Sequence, residues 1–396
     1  MRPALHGVGP ARCVVLGALR VGGSRADRGT SDGQADMLTR PDWAWCIATY
    51  NRHDMLERTC ALALAQSVPP AEIVVTDASA DWDSGRDRIS RLVDAAVAAG
   101  VPRPRLSYEK ASRPSSAVQR NESIQRAEAE IVFLFDDDTL MFPQAAERIL
   151  EVYARDVDRI VQAVTAAATS ELPENPPWQP GPEAARPAPA PSAGAADLAQ
   201  GRARDPLARL VRGVLRADDR FVPYDPEPPV HAVPQSMDGL GLRSWKLAAG
   251  YNLTARRTSV LREPFENRLT GYSPGEDSDM TYRLTRHGPI LHRPDAMIHH
   301  AEAPGSRFGM YRRVALGATN ALLLHRVHSV DVSYSARESR ALLRRRLLIE
   351  FAKDVRGFDW RLPRTRAIVF ALRHIDEILS TPDDKLDDVF ERFQSI

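Results

Sequence analysis

The strongest constraint on the fold is an alternation of strand-like and helix-like segments that begins near residue 43. Short apolar runs are separated by longer segments whose apolar residues recur at helical spacing. The strand-like runs are 45–49, 72–76, 105–109 and 131–135, and the helix-like segments are 55–67, 86–99 and 115–127. This alternation predicts an α/β fold with a mostly parallel sheet, right-handed crossovers and flanking helices. Ligands of such sheets bind beyond the carboxyl ends of the strands.

Length and charge narrow the function. A chain of 396 residues has room for one large domain and an appendage. Charged residues make up 27% of the chain but the net charge is only +1, so no global basic field favours nucleic acid as a partner. Cys13, Cys46 and Cys60 form no CxxC pair, so we expect reduced cysteines and a cytoplasmic protein.

The remaining segments divide the chain into three parts. Residues 1–40 lack periodicity and predict a disordered extension, residues 41–305 the α/β domain, and residues 306–396 a helical region. Inside the domain, a helix is expected around 144–164, and the Pro- and Ala-rich stretch 172–234 predicts a flexible insertion. Two segments, 205–215 and 341–351, combine apolar and basic residues. Each fits either an amphipathic helix that packs on its own protein or an interfacial helix at a membrane.

Three consecutive carboxylates, Asp136, Asp137 and Asp138, follow the apolar run 131–135. Adjacent carboxylates repel one another, and a divalent cation would compensate their charge. Mn²⁺ and Mg²⁺ prefer oxygen ligands and often take only one or two carboxylates from the protein. An extended backbone places Asp136 and Asp138 on one side and Asp137 on the other. The alternative is an exposed acidic turn that caps a helix.

A second acidic cluster, Gly275-Glu276-Asp277-Ser278-Asp279, precedes a helix-like segment. A carboxylate on a loop at the start of a helix can be positioned to accept a proton from an incoming hydroxyl group. The structural alternative is that Ser278 or Asp279 caps this helix.

Two histidines follow the short strand-like segment 295–298. A single histidine is usually structural, but imidazole is also a common ligand of divalent metals. His300 is therefore the favoured third metal ligand, with His299 as the alternative.

Taken together, residues 45–301 resemble the family 2 glycosyltransferases, an inverting group with the GT-A fold, a Rossmann-like α/β architecture, that includes rhamnosyl-, galactofuranosyl- and glucosyl-transferases. The resemblance rests on motifs that occur in the family's order. They are Ala48-Thr49-Tyr50-Asn51-Arg52, Val74-Val75-Thr76-Asp77-Ala78-Ser79, Arg120-Asn121, Phe133-Leu134-Phe135-Asp136-Asp137-Asp138, the stretch 250–257 and Gly275-Glu276-Asp277. The chain departs from the family pattern at Thr76, Glu122 and Phe135, which weakens individual nucleotide contacts more than the reaction.

The resemblance implies a donor site. Thr49, Tyr50 and Arg52 would line the nucleotide, and Asp77 would accept hydrogen bonds from its base or ribose. Arg120 would lie near the diphosphate, whose geometry suits a guanidinium. Asp136, Asp137 and Asp138 would lie at the diphosphate, with Asp136, Asp138 and His300 as ligands of Mn²⁺ or Mg²⁺.

The resemblance also implies the acceptor side. Asp277 would be the general base, and Glu276 would bind the acceptor or replace Asp277. The expected donor is a UDP- or dTDP-sugar, and the expected acceptor is a glycan or a lipid-linked glycan of the cell envelope, met in the cytoplasm or at the inner face of the membrane. Trp245, Tyr251 and Tyr272 are candidates for stacking on the acceptor sugar, although core or interface roles are the alternative for each.

Two other functions remain open. A sugar-nucleotide nucleotidyltransferase would also bind a nucleotide and a metal, but such enzymes begin with a glycine-rich basic loop, and residues 49–52 contain no glycine. A non-catalytic glycan-binding scaffold is disfavoured because both acidic clusters are intact.

Overall fold

The computed structural model describes residues 40–178, 221–271, 273–302 and 308–396. All of them belong to one compact unit, Thr39–Ile396. Several predicted features lie outside the described residues: the extension up to residue 39 with Cys13, the amphipathic segment 205–215, and Tyr272. Cys46 and Cys60 are buried free thiols, as expected for reduced cysteines.

The first half of the domain alternates strands and helices as predicted. Its elements are β1 (Trp43–Thr49), α1 (His53–Leu64), β2 (Glu72–Asp77), α2 (Trp82–Ala98), β3 (Arg105–Lys110), α3 (Ser116–Arg126) and β4 (Ile131–Phe133). The strand order is β3-β2-β1-β4, and all neighbours are parallel. Alternate residues of β1 enter two different cores: Trp45 and Ile47 pack on one face of the sheet, and Ala44 and Cys46 on the other. Burial on both faces explains why β1 reads as a continuous apolar run.

The second half of the sheet is mixed. Its elements are β5 (Thr139–Met141), α4 (Ala145–Arg155), β6 (Ala163–Ala168), β7 (Arg243–Trp245), β8 (Leu253–Arg256), α5 (Arg257–Arg262), α6 (Glu276–Thr285) and β9 (Ile290–His300). The sheet continues from β4 in the order β8-β6-β9-β5. β8 is antiparallel to β4 and β6, β6 is parallel to β9, and both β5 and β7 are antiparallel to β9. The last residues of β9 therefore lie beside β5, directly after the three aspartates.

The helix expected around 144–164 is shorter than predicted. α4 ends at Arg155, and Val164 belongs to β6. Asp156 ends the helix because its carboxylate accepts hydrogen bonds from the backbone amides of Ile160 and Val161. The chain therefore turns back toward the sheet, where Ala163–Ala168 form β6 instead of another helical turn.

The C-terminal region is helical, as predicted. It consists of α7 (Met310–His328), α8 (Val332–Arg356), α9 (Pro363–Leu379) and α10 (Leu386–Gln394). Leu322 of α7, Ile375 of α9 and Phe390 of α10 share one buried cluster with Leu253 of β8 and Met280 of α6. The α/β class with a flanked sheet and a C-terminal helical region is confirmed.

Part of the stretch predicted as an insertion belongs to the core. Tyr224 is buried, and its hydroxyl donates a hydrogen bond of 2.8 Å to Asp279 of α6. Within the described ranges, the structure contains no helix with enough length and apolar character to span a lipid bilayer.

Candidate active site

The carboxyl ends of β1, β2 and β4 meet at one edge of the sheet. Thr49, the last residue of β1, is paired in register with Asp77, the last residue of β2. β4 runs parallel to β1 and leads through Leu134 and Phe135 into the three aspartates. The predicted convergence of these motifs at the ligand-binding edge is therefore found in the structure.

Three candidate metal ligands converge at this edge. One ligand atom each from Asp136, Asp138 and His300 lies within 4.8 Å of the other two. The sheet creates this arrangement, because Thr139 of β5 pairs with His300 of β9 and the amide of Ala301 donates to the carbonyl of Asp138 at 3.0 Å. Nε2 of His300 lies 3.3 Å from Oδ1 of Asp138.

The chemistry of this cluster fits a divalent cation. Two carboxylates and an imidazole are ordinary ligands of Mn²⁺, and the partial exposure of Asp136 and His300 leaves room for ligands from solvent or substrate. Burial alone would lower the pKa of His300, but its hydrogen bond to Asp138 and the nearby Asp136 raise it. A bound cation would replace the proton that these carboxylates hold on the imidazole.

Asp137 lies in a turn with Asp138 and does not join the cluster of candidate metal ligands. Its carboxylate is buried and accepts a hydrogen bond of 2.7 Å from the hydroxyl of Thr49. Burial raises the pKa of Asp137 to about 7, although Arg52 opposes this shift. Nη1 of Arg52 lies 3.1 Å from Asp137 and 3.0 Å from Asp138. In this structure Thr49 and Arg52 therefore hold Asp137 and Asp138 in place. Tyr50, which lies between Thr49 and Arg52 in sequence, is exposed.

Asp77 is fully buried and bound by four donors. Ser79 contacts one oxygen through its amide at 2.8 Å and its hydroxyl at 2.5 Å. His53 Nε2 at 2.8 Å and the Tyr108 hydroxyl at 2.6 Å contact the other. A carboxylate offers about four acceptor positions, and all are used here. The contact with a base or ribose that the resemblance implies would replace one of these bonds.

Arg120 joins the two acidic clusters. Its buried guanidinium pairs with Asp136 on one side and with Glu276 on the other. Burial lowers the pKa of Arg120, but Glu276 and Asp136 together outweigh that effect, so the side chain stays charged. A Cβ atom on Gly250 would lie 2.6 Å from Nη2 of Arg120, so this position has no room for a larger residue. The clusters, about 140 positions apart in sequence, thus face each other across one guanidinium.

The second acidic cluster begins α6. Gly275, with φ of +95°, is the N-cap residue and provides no side-chain cap, so the alternative in which Ser278 or Asp279 caps the helix is wrong. Glu276 is buried, accepts a hydrogen bond of 2.9 Å from the Ser116 hydroxyl, and has its pKa raised to about 7, chiefly by burial.

Asp277 is the more accessible of the two acids. It is partly exposed, and its carboxylate accepts hydrogen bonds from the amide of Gly250 at 3.0 Å and from the amide of Ser278 at 2.7 Å. Both are backbone donors, so they orient the carboxylate without offering a competing positive charge. Among the acids of this cluster, Asp277 is therefore the one that is both partly exposed and held by backbone amides.

Two of the predicted aromatic residues are described. The ring of Tyr251 is stacked on His300, with centroids 4.4 Å apart and planes at 3°. Burial raises the pKa of Tyr251, and Asp136, Glu302 and Asp277 raise it further, which places this hydroxyl in the field of both acidic clusters. Trp245 is exposed on β7 and stacked on His292, away from these contacts.

Several contacts at the site were not predicted from the sequence. Nε2 of Gln119 donates to the carbonyls of Thr49 at 2.8 Å and Thr76 at 2.9 Å, which fixes the ends of β1 and β2 together. His53 and Tyr108 secure Asp77. These residues lie in ordinary amphipathic helices and strands, so no local pattern distinguishes them from core or surface residues.

Residues 44–192 match the model of glycosyl transferase family 2. The match supports the interpretation of this chain as a family 2 glycosyltransferase. It covers Thr49, Asp77, Arg120 and the three aspartates, and the sheet with its C-terminal helices matches the GT-A fold expected from the resemblance. It ends before the segment that contains Glu276, Asp277 and His300. No curated protein sequence matches this chain.

Several solved structures are similar to this chain at a lower level. The mannosyltransferase PcManGT from Pyrobaculum calidifontis, in complex with GDP-Man and Mn²⁺, is 18% identical with a TM-score of 0.43, over 90% of this chain and 84% of that one. TarS 1–349 of S. aureus is 12% identical with a TM-score of 0.43, over 89% and 87%. GalNAc-T7 with UDP, GalNAc and Mn²⁺ is 12% identical with a TM-score of 0.47, over 76% and 51%. Similarity of this degree says nothing about the substrate or metal of this chain.

Proposed function

We propose that the protein is an inverting glycosyltransferase that moves a sugar from a nucleotide diphosphate to a hydroxyl group of a glycan or lipid-linked acceptor. The observation that supports this most directly is that the Asp136–Asp138–His300 cluster and the Glu276–Asp277 cluster face each other across Arg120, which pairs with Asp136 and Glu276. A cation site beside a partly exposed carboxylate provides the two functions that such a transfer needs, namely charge for the departing diphosphate and a base for the acceptor.

The donor half of the site would consist of the residues at the ends of β1 and β4. Asp136, Asp138 and His300 would hold Mn²⁺ or Mg²⁺, which supplies positive charge near the leaving group when bound. Arg52 fixes Asp137 and Asp138 in place, and exposed Tyr50 is available for contact with the nucleotide. Asp77 would shape the nucleotide site by fixing His53 and Tyr108, or would contact the base after exchanging one of its four donors.

The acceptor half would centre on Asp277. In a single displacement, the acceptor oxygen forms a bond to the anomeric carbon while the bond from that carbon to the diphosphate oxygen breaks. The hydroxyl proton passes to Asp277, whose carboxylate is oriented by the amides of Gly250 and Ser278. Glu276 is paired with Arg120 and buried, so we assign it the positioning of Arg120 and not contact with the acceptor. Tyr251 is the aromatic residue best placed to meet the sugar.

The substrate class follows from the resemblance of the motifs. We propose a UDP- or dTDP-sugar as donor and a cell-envelope polysaccharide or its lipid-linked precursor as acceptor, handled on the cytoplasmic side. Mass spectrometry of mixtures that contain candidate sugar nucleotides, Mn²⁺ and envelope glycans would identify the pair. A transferase releases a nucleoside diphosphate, whereas a nucleotidyltransferase would release or consume pyrophosphate.

Replacement of Asp277 by Asn tests the base. The amide keeps the size of the side chain but cannot accept the proton, so we expect kcat to fall roughly 10³-fold while donor affinity in Mn²⁺ changes by less than about twofold. Asp238→Asn is the matched control, because Asp238 is an exposed aspartate that belongs to neither acidic cluster. Near wild-type turnover of Asp277→Asn would exclude Asp277 as the base.

A further inference from the structure

The outward face of α8 carries an unusual set of exposed apolar residues. Leu348, Phe351 and Val355 are all exposed, and their spacing of three and four residues places them on one side of the helix. The opposite side is buried through Leu342 and Leu343, which pack in the C-terminal core. The helix is therefore apolar on two faces, although only one of them is covered by described residues.

Two aromatic side chains extend this face beyond the end of α8. Phe358 is 79% exposed and Trp360 is 73% exposed. We refer to Leu348, Phe351, Val355, Phe358 and Trp360 as the apolar ridge.

The turn that carries these two rings is held firmly. The buried carboxylate of Asp354 accepts hydrogen bonds from the amide and hydroxyl of Thr365 at 2.9 and 2.8 Å, and Arg364 lies 3.1 Å from it. The amide of Asp359 donates to the carbonyl of Asp354 at 3.0 Å. Because both ends of the turn are anchored in this way, the exposure of the two rings is a fixed feature of the fold.

Arginines border the ridge. Arg344 lies one helical turn before Leu348, Arg356 follows Val355, and Arg361 follows Trp360. All three are exposed, and the structure shows no ion pair between them and another described residue. The nearest acids on α8 are occupied, since Glu350 pairs with Lys353 at 2.7 Å and Asp354 is buried in the turn. Asp359, between the two rings, accepts a hydrogen bond of 3.2 Å from the amide of Arg361. With Arg344, Arg356 and Arg361 around this one carboxylate, the ridge is apolar at its centre and has a net positive border.

We propose that the apolar ridge binds the surface of an anionic lipid bilayer. Contiguous exposed apolar residues mark an interaction surface. Aromatic rings suit the interfacial region of a bilayer, and arginines at its border complement the negative charge of anionic headgroups. The described helices cannot span a bilayer, so the ridge would lie in the headgroup region. The apolar ridge is remote in sequence from the acidic clusters, so lipid binding there does not depend on the proposed reaction.

Vesicle flotation of the full-length chain tests the proposal. Wild-type protein should float with phosphatidylcholine vesicles that contain 30 mol% phosphatidylglycerol, chosen as roughly the anionic content of a charged leaflet. It should bind pure phosphatidylcholine vesicles at least about tenfold more weakly, and salt should weaken binding to the anionic ones. Phe358→Ser/Trp360→Ser should reduce the affinity for anionic vesicles about tenfold or more, because it removes the most exposed apolar area.

Two control variants separate the contributions. Arg344→Gln/Arg356→Gln/Arg361→Gln should abolish the preference for anionic vesicles, whereas Val157→Ser/Val230→Ser, which changes exposed apolar residues elsewhere, should leave binding unchanged. Equal binding of wild type and the Phe358/Trp360 variant would overturn the proposal. A concentration-dependent dimer that forms in the wild type and is lost in this variant would also overturn the proposal, since the ridge would then be covered by a second copy of the chain.

Discussion

Two groups of acids in this molecule differ in their surroundings and in how far solvent reaches them. Asp279 of α6 is fully buried, and its carboxylate pairs with Arg283 at 2.8 Å and accepts a hydrogen bond from Tyr224 at 2.8 Å. Asp136 and Asp138 instead converge with His300 at the edge of the sheet, partly open to solvent. A buried acid that is enclosed by its own partners stabilises the fold. Asp136 and Asp138 also contact guanidinium groups, those of Arg120 and Arg52, but they converge with His300 at a partly exposed point, which provides a place for a cation from outside. Asp277 and Asp279 lie only two residues apart, so acidity in the sequence does not separate these roles.

The largest expected effect concerns the buried pair. Asp279→Asn removes the buried negative charge beside Arg283 and leaves Glu263 as its remaining anionic partner among the described residues, so we expect the free energy of unfolding to fall by about 3–5 kcal/mol. Asp138→Asn removes one of several repelling carboxylates, and the partly exposed Arg52 keeps Asp137 as a partner, so the same quantity should change by less than about 1 kcal/mol without metal. Urea unfolding in EDTA measures both. Equal losses of unfolding free energy in the two variants would contradict the proposed difference between Asp279 and Asp138.

Acid should weaken the region around Asp279 through His325. Burial lowers the pKa of His325 to about 4, so the folded protein takes up this proton only near pH 4, whereas the unfolded chain does so near pH 6.5. Stability is therefore present above pH 6.5 and is lost as the pH falls toward 4, by up to about 3 kcal/mol. His325→Gln should flatten the dependence of unfolding free energy on pH in this window. An unchanged slope would show that His325 is not buried in its neutral form.

A smaller effect is expected from the third candidate metal ligand. His300→Ala removes one of three converging ligand atoms, so we expect Mn²⁺ affinity to fall by roughly 10- to 100-fold, the range typical of losing a group that supports a metal site. His299→Ala is the matched control because Nδ1 of His299 contacts the backbone carbonyl of Thr169 at 3.1 Å. Titration of Mn²⁺ followed by electron paramagnetic resonance distinguishes the two. A larger loss of Mn²⁺ affinity in His299→Ala than in His300→Ala would show that His299, and not His300, is the metal ligand.

The first half of the fold could be predicted from the sequence because its signals are local. β1 and β2 are buried on both faces, so each reads as an apolar run, and the buried residues of α2 lie on a single face of that helix. The ends of elements were harder to predict. β4 stops at Phe133, although Leu134 and Phe135 are equally apolar, because the chain there begins to turn toward the aspartates.

The candidate site was predictable only in part. The sequence predicted that Asp136 and Asp138 lie together on an extended backbone; the structure does bring them together, but in a turn in which the amide of Thr139 donates to the carbonyl of Asp136 at 3.0 Å. The pairing of Arg120 with Glu276 spans 156 positions, and that of Asp77 with Tyr108 spans 31. Such pairings depend on tertiary structure, which no local spacing encodes. The resemblance implied a contact with the diphosphate for Arg120 and a contact with the acceptor for Glu276. In the structure these two side chains form an ion pair with each other.

The most direct test of the account measures whether nucleotide binding depends on metal at the converging acids. Isothermal titration calorimetry would compare the binding of UDP, dTDP and GDP in Mn²⁺ and in EDTA, for wild type and for Asp136→Asn/Asp138→Asn. The account predicts that wild type binds at least one of these nucleotides about tenfold or more tightly in Mn²⁺, and that the double variant, with unchanged unfolding, loses this difference. The same metal dependence in both proteins, or none in wild type, would contradict it.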